Sequence, residues 1–287
     1  MPRSGARRPV ASRSRCAELF TNYLVVDWSA ASVPRTGGDS IWYAWLDPRG
    51  CVTVNPPTRV RAFLEVRARL LEAVARSQRT LAAFDFPLGY PRGAGPWETM
   101  WSAITAVVED AEDNRNNRFA AAEVLNARLG GPFWGRPGKG VRKPPPEQHG
   151  LPEMRIADAW TRGPQSPWKL YGVGSAGSQA LTGLPYLQRL RQDAELGRHV
   201  KVWPFETGLR APAEGLVILA EAWPSMLKMR SACAGVKDEA QVRALAKHFA
   251  GLDRAGALAP LFCGPAGLGP EQRAVVEREE GWILGVR

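Results

Sequence analysis

Two aspartates stand where short apolar runs end. Residues 23–26 lead into Asp27 in Tyr-Leu-Val-Val-Asp-Trp-Ser, and residues 80–84 lead into Asp85 in Leu-Ala-Ala-Phe-Asp-Phe-Pro. Short apolar runs of this kind read as buried strands, and paired strands lie about 5 Å apart. If these two are neighbours, acids at their equivalent ends can share a divalent cation. Glu221, in Leu-Ala-Glu-Ala-Trp-Pro at the end of a third apolar run, and Asp238, at the start of a helical pattern, can join them. Two cations about 3.5–4 Å apart, held by hard oxygen ligands, activate a water and stabilise the leaving oxygen of a phosphodiester. Asp27, Asp85, Glu221 and Asp238 are therefore the expected catalytic acids and metal ligands, with Mg²⁺ or Mn²⁺ as cofactor. Plainer roles compete. Asp238 and Gln241 form an Asp-x-x-Gln helix-capping pattern, and Glu206, in Val-Trp-Pro-Phe-Glu-Thr, rivals Glu221 as the third acid.

Other segments offer groups for a phosphate-bearing ligand. Ser29, in Trp-Ser-Ala-Ala-Ser after the first aspartate, puts a hydroxyl among small residues. That stretch resembles the phosphate loop of actin-like kinases, but lacks the usual glycine. In Asp-Asn114-Arg115-Asn-Asn117-Arg118-Phe, the two arginines can grip a phosphate bidentately; alternatively an asparagine caps the next helix and the arginines are solvated. Residues 172–183, with Ser175, Ser178 and Gln179, supply glycines and hydroxyls ahead of a helix expected at 185–191. Their amides can cradle an anion, or the small residues simply pack closely. Gly-Pro-Phe133-Trp134-Gly with Trp168 offers stacking faces for a base, although tryptophans are more often core.

The elements that must position these groups follow from pattern. Turn-rich Pro-Arg-Thr-Gly-Gly separates the first strand from two more, at 40–46 and 51–54. Val60, Phe63, Leu64, Leu70, Leu71 and Val74 recur at helical spacing through 59–76, a crossover that places the strand at 80–84 parallel to the first. From Pro91 to about His199 the pattern turns mainly helical, with stretches at 97–112 and 119–129 and a Gly- and Pro-rich run at 131–152, and reads as an insertion or cap. Strands at 199–204 and 216–222 and helices at 239–250 and 271–280 complete the chain. This order is that of a ribonuclease-H-like α/β fold: a mixed sheet flanked by helices, one domain over residues 21–287, with a large insertion at about 91–199.

Composition narrows the field. A chain of 287 residues with 45% apolar content can bury a sizeable core, and its longest apolar runs fall far below the roughly 20 residues that span a bilayer, so no membrane partner is expected. Of the net charge of +10, Arg3, Arg7, Arg8, Arg13 and Arg15 supply half, in an arm over residues 1–20 expected to be disordered. Such an arm fits a phosphate-binding tail, a solvated end or a transit peptide. Cys16, Cys51, Cys233 and Cys263 form no Cys-x-x-Cys pair, which disfavours a zinc ribbon or disulfide framework and suits a reducing cytoplasm. His149, His199 and His248 lack zinc spacing, no Walker lysine or Gly-x-Ser-x-Gly elbow occurs, and no dinucleotide-binding glycine fingerprint follows the first strand.

Taken together, Val-Asp27-Trp-Ser-Ala, Phe-Asp85-Phe-Pro-Leu-Gly-Tyr-Pro, Asn-Arg-Asn-Asn-Arg118-Phe, Gly-Ser-Gln179-Ala-Leu-Thr-Gly-Leu-Pro, Val-Trp-Pro-Phe-Glu206, Glu221-Ala-Trp-Pro-Ser and Lys-Asp238-Glu-Ala-Gln-Val-Arg resemble an uncharacterised bacterial family. Its members are predicted ribonuclease-H-like nucleases, many labelled as molybdopterin guanine dinucleotide synthesis proteins and some with a cobalamin-biosynthesis label. The resemblance implies that the four acids stand where ribonuclease-H-like nucleases carry metal-binding acids. The leading expectation is a metal-dependent enzyme acting at a phosphoester of a nucleotide or nucleic acid, the large insertion suiting a nucleotide in a capped pocket. The rivals are an accessory nucleotide-binding protein of those biosyntheses, holding phosphate through Arg115, Arg118 and residues 172–183, and a nucleic-acid-binding module working through its basic arm.

Overall fold

The structure is a computed structural model that describes residues 18–138, 149–161, 163–227 and 235–287. The basic arm up to residue 17 lies outside the described residues, as do residues 139–148 of the Gly- and Pro-rich run expected at 131–152.

Six strands form one mixed sheet: β1 (Asn22–Asp27), β2 (Trp42–Asp47), β3 (Gly50–Val54), β4 (Thr80–Phe84), β5 (Val200–Val202) and β6 (Val217–Glu221). The spatial order is β3-β2-β1-β4-β6-β5, with β2 antiparallel to both neighbours and β1, β4, β6 and β5 mutually parallel. Alternation along each central strand serves two cores, because successive side chains leave opposite faces of a strand. Leu24 and Val26 of β1, Ala82 and Phe84 of β4 and Val217 and Leu219 of β6 enter one core; Tyr23, Val25, Leu81, Ala83, Ile218 and Ala220 enter the other.

Helices cover both faces. Among the described residues they are α1 (Arg59–Ala75), α2 (Trp97–Val107), α3 (Arg118–Leu129), α4 (Ile156–Ala159), α5 (Ala176–Gln192), α6 (Lys237–Arg254) and α7 (Pro270–Val275). α1 starts where the Thr58 side chain accepts the Arg61 amide and buries Ala62, Val66, Leu70 and Ala73, a spacing that keeps one stripe on the sheet. Leu64, expected on that stripe, is instead exposed. α2 and α5 pack on each other and add Met100, Trp101, Leu181 and Leu184 to the same core. α6 lies on the other face, with Val242, Leu245 and Phe249 against β1 and β2. α2 to α5 fall between β4 and β5, where the chain pattern turns mainly helical.

Two local expectations are corrected. The glycine-rich stretch does not precede a helix at 185–191, because α5 begins at Ala176 and carries Gly177, Ser178 and Gly183 inside it. A Cβ at Gly177 would stand 2.5 Å from the Pro167 carbonyl oxygen, and one at Gly183 2.5 Å from the Phe86 ring. The missing side chains let the helix approach the Phe86 loop that follows β4. The second helical stretch, expected at 97–112, stops at Val107; beyond it Asp110 bridges to Asn116 and a loop turns back.

Candidate functional site at the strand carboxyl ends

Register aligns the acids. Val26 of β1 is opposite Phe84 of β4, which is opposite Glu221 of β6, and the Asp85 amide donates to the Val26 carbonyl at 2.9 Å. Asp27 and Asp85 therefore occupy corresponding positions on adjacent parallel strands, with Glu221 on the next strand one register position earlier. From β1 the chain runs outward to β2 and β3 on one side, and β4 begins the other half, so the two aspartates mark a reversal of strand order. Ligand clefts in open α/β sheets form at such points, beyond the strands' carboxyl ends.

A cavity of about 780 Å³ opens there, within the size range of small-ligand pockets. It is lined by Asp27, Asp85, Glu221 and Asp238, and also by Ser29, Arg118, Ser175, Ser178 and Gln179. Asp238 does not cap α6. The helix starts at Lys237 without a side-chain cap, and the Asp238 carboxylate accepts the Asp39 amide at 2.8 Å. Asp238 thus bridges to the loop after β1 and adds charge beside Asp27.

Charge is distributed unevenly along this edge. Loss of hydration raises Asp27 to about 7, aided by the negative charges of Asp238 and Asp39 and opposed by Lys237. Asp85 is pushed well above the usual carboxylate range by the same loss of hydration, then by Asp27, Glu221 and Asp238. Among the described residues, no hydrogen-bond donor or cation pairs with either carboxylate. Glu221 differs. Both its oxygens accept from the Arg155 guanidinium, at 2.6 and 2.7 Å, and one also accepts the Leu88 amide at 3.1 Å. Burial pushes Glu221 up and Arg155 pulls it back; the two-pronged bond to a permanent cation keeps it a carboxylate. Arg155 itself is buried and held charged well above its ordinary value. Burial opposes the cation, but Asp158 and Glu221 outweigh it.

Sequence reasoning missed Arg155 and Asp158, which line the cavity from the N-cap and the single turn of α4. The Arg155 fork donates to Asp158 at 2.9 and 3.2 Å, and Arg155 reaches the Glu280 carbonyl in the C-terminal π-helical turn. The one available signal was the Arg-x-x-Asp spacing, which says nothing of a partner 66 residues away.

Four expected ligand-binding residues lie outside the cavity. Asn114 is buried with φ +69°; its Oδ1 accepts the Arg59 amide and its Nδ2 donates to the Val33 and Pro57 carbonyls. Asn117 closes the same loop, accepting the Glu109 amide and donating to the Val107 carbonyl. Arg115 projects into solvent and pairs with Asp113. Glu206 accepts the Val202 amide and pairs with Arg191. The expected stacking faces also belong to packing, because Phe133 and Trp168 are buried against Tyr90.

Compared with protein-family models, with curated proteins and with solved structures, the chain gives no match. The site must be argued from its own chemistry. Among the described residues, no group of three or more His, Cys, Asp or Glu side chains is gathered tightly enough to enclose a metal ion. Mg²⁺ does not require such a cage, because it is commonly held by one or two carboxylates, with waters and substrate phosphate oxygens completing its octahedron. Two unpaired aspartates at one edge fit that mode. None of the described helices is long and apolar enough to cross a membrane.

Proposed function

We propose that this protein is a Mg²⁺- or Mn²⁺-dependent phosphoester hydrolase or transferase with ribonuclease-H-like architecture, acting on a nucleotide or nucleic acid. The observation that carries the reading is the pair Asp27 and Asp85: register-matched, unpaired and raised in pKa at the mouth of a small-ligand cavity. Holding two half-buried carboxylates side by side is costly unless a cation or proton offsets them. A fold that spends stability on such a pair points to a bound cation. The strand order, with an antiparallel β2 between β3 and β1 and parallel β4 and β6 beyond, supports the architecture.

Asp27 and Asp85 would hold the metal, and Asp238 adds charge beside them. The metal supplies charge neutralisation at phosphoryl oxygens and a water of lowered pKa. Glu221, anchored by Arg155, fixes the end of β6 beside Phe84 and contributes its field to Asp85. Lys237 and Arg118 line the same cavity and attract an anionic substrate.

The same cavity and the same cations favour a second reading, an accessory protein that binds a nucleotide in molybdopterin guanine dinucleotide or cobalamin biosynthesis without turning it over. Assays of phosphodiester and nucleotide cleavage with Mn²⁺ separate the two. Metal-dependent turnover lost in Asp27→Asn is the expected result. Nucleotide binding with no turnover, unchanged by that substitution, would transfer support to the accessory reading.

A further inference from the structure

Three arginines near this edge are buried to different degrees, and their partners differ. The Arg59 side chain is fully buried and fully satisfied. Its fork meets Asp110 at 2.5 and 2.7 Å, and its remaining donors reach the Ser29, Ala31 and Asn114 carbonyls. Arg155 is satisfied by Glu221 and Asp158. Arg118 is partly buried on the cavity wall and, among the described residues, has only neutral partners: the Ser178 hydroxyl at 3.1 Å, the Ser32 hydroxyl at 2.9 Å, the Asn116 amide oxygen at 2.8 Å and the face of the Phe119 ring, 4.4 Å from the guanidinium carbon. Among the described residues it forms no ion pair. The acid whose field it feels, Asp110, is committed to Arg59 and Tyr186. Burial and the neighbouring Arg59 lower Arg118 to about 10, so it remains a cation at neutral pH. Holding such a cation away from water without a counter-charge is unfavourable.

We propose that Arg118 is the anchor of an anion subsite in this cavity that takes a phosphate monoester group, making the ligand a small phosphorylated molecule of nucleotide size. A guanidinium fork with the Ser32 hydroxyl beside it matches the several oxygens of a phosphate dianion, while the Ser178 hydroxyl, donated to the Leu170 carbonyl, holds the fork in place. The first turn of α5 lines the same cavity through Ala176, Ser178 and Gln179; its amides are already bonded to backbone carbonyls, so it favours the same charge only through the positive end of the helix dipole. The cavity volume suits a mononucleotide or short dinucleotide rather than a duplex. Tyr171, exposed on the lining, offers a flat face for its base. This deepens the proposed phosphoester chemistry and rests on that reading only for the bond that reacts, since anchoring at Arg118 needs no metal.

The test is calorimetric binding of inorganic phosphate and of AMP to protein kept metal-free with EDTA. Wild-type protein is expected to bind both, and Arg118→Gln to weaken binding roughly 10- to 100-fold, the value of a charge-assisted contact. Ser32→Asp provides a second variant that leaves Arg118 in place. Ser32 is exposed and its hydroxyl already touches the guanidinium, so a carboxylate there occupies the cation, raises the melting temperature and abolishes phosphate binding. Asp27→Asn is expected to bind phosphate as well as wild type or better. Binding lost in Arg118→Gln or Ser32→Asp supports the subsite even where no metal-dependent cleavage is found. No binding by wild type at millimolar phosphate and AMP, or affinity unchanged in Ser32→Asp, overturns it.

Discussion

The carboxyl edge of the sheet carries two kinds of acid. At β6, Glu221 is matched on both oxygens by Arg155, which also holds Asp158, so the charges balance within the fold. At β1 and β4, strands away by one and two positions, Asp27 and Asp85 face the cavity with no cation bonded to either among the described residues, and both are raised. The same split separates Arg59, paired with Asp110, from Arg118, which among the described residues has only neutral partners. Balanced charges hold elements together. Unbalanced ones, gathered at one cavity, leave their compensation to what binds there.

The largest effect should come from breaking the balanced side. Arg155→Ala leaves Glu221 and Asp158 buried without a counter-charge, a change that costs about 3–5 kcal/mol. Urea titration should show that loss, or no folded protein. Turnover is the next arm. If the unbalanced side is catalytic, Asp27→Asn and Asp85→Asn each lower metal-dependent turnover on the order of a thousandfold, the several kcal/mol that a metal site supplies, with circular dichroism unchanged. Turnover retained in both would assign the aspartates a structural role.

A pH series sharpens the contrast. A carboxyl whose pKa is higher folded than unfolded binds its proton more tightly in the folded state. Its stabilising contribution is complete below the unfolded value of 3.8 and is lost as pH rises through about 7. The melting temperature of the metal-free protein should therefore fall by several degrees between pH 5 and pH 8, on a scale set by roughly 2–4 °C per kcal/mol for chains of this order. Asp27→Asn should flatten that fall. A metal-free protein whose stability rises over this range would contradict the unbalanced pair. The smallest effect belongs to Arg115→Ala. The Arg115 side chain is 80% exposed and pairs only with Asp113, so stability should change by less than about 0.5 kcal/mol and phosphate binding not at all.

What could be read in the sequence divides along the same line. Asp27 and Asp85 were legible because each ends an apolar strand, and strand period together with a crossover helix is enough to make those strands parallel neighbours. Arg155 was not legible, because its role depends on a contact across 66 residues, with no periodicity to announce it. The asparagine and arginine cluster read as a ligand grip, yet Asn114 takes a positive φ and spends its amide on three backbone groups. Only Arg118 of that cluster reaches the cavity. Gly177 and Gly183 read as loop because glycine disfavours helix interiors, a preference overridden where α5 must approach the Pro167 carbonyl and the Phe86 ring.

The central claim is that Asp27 and Asp85 form a site for a divalent cation, and Mn²⁺ binding followed by calorimetry tests it most directly. Wild-type protein, alone and with AMP present to complete the coordination shell, should bind Mn²⁺, and the Asp27→Asn/Asp85→Asn double variant, shown folded by circular dichroism, should lose that binding. Equal Mn²⁺ affinity in wild type and the double variant, or no Mn²⁺ binding by wild type even with AMP, would contradict it.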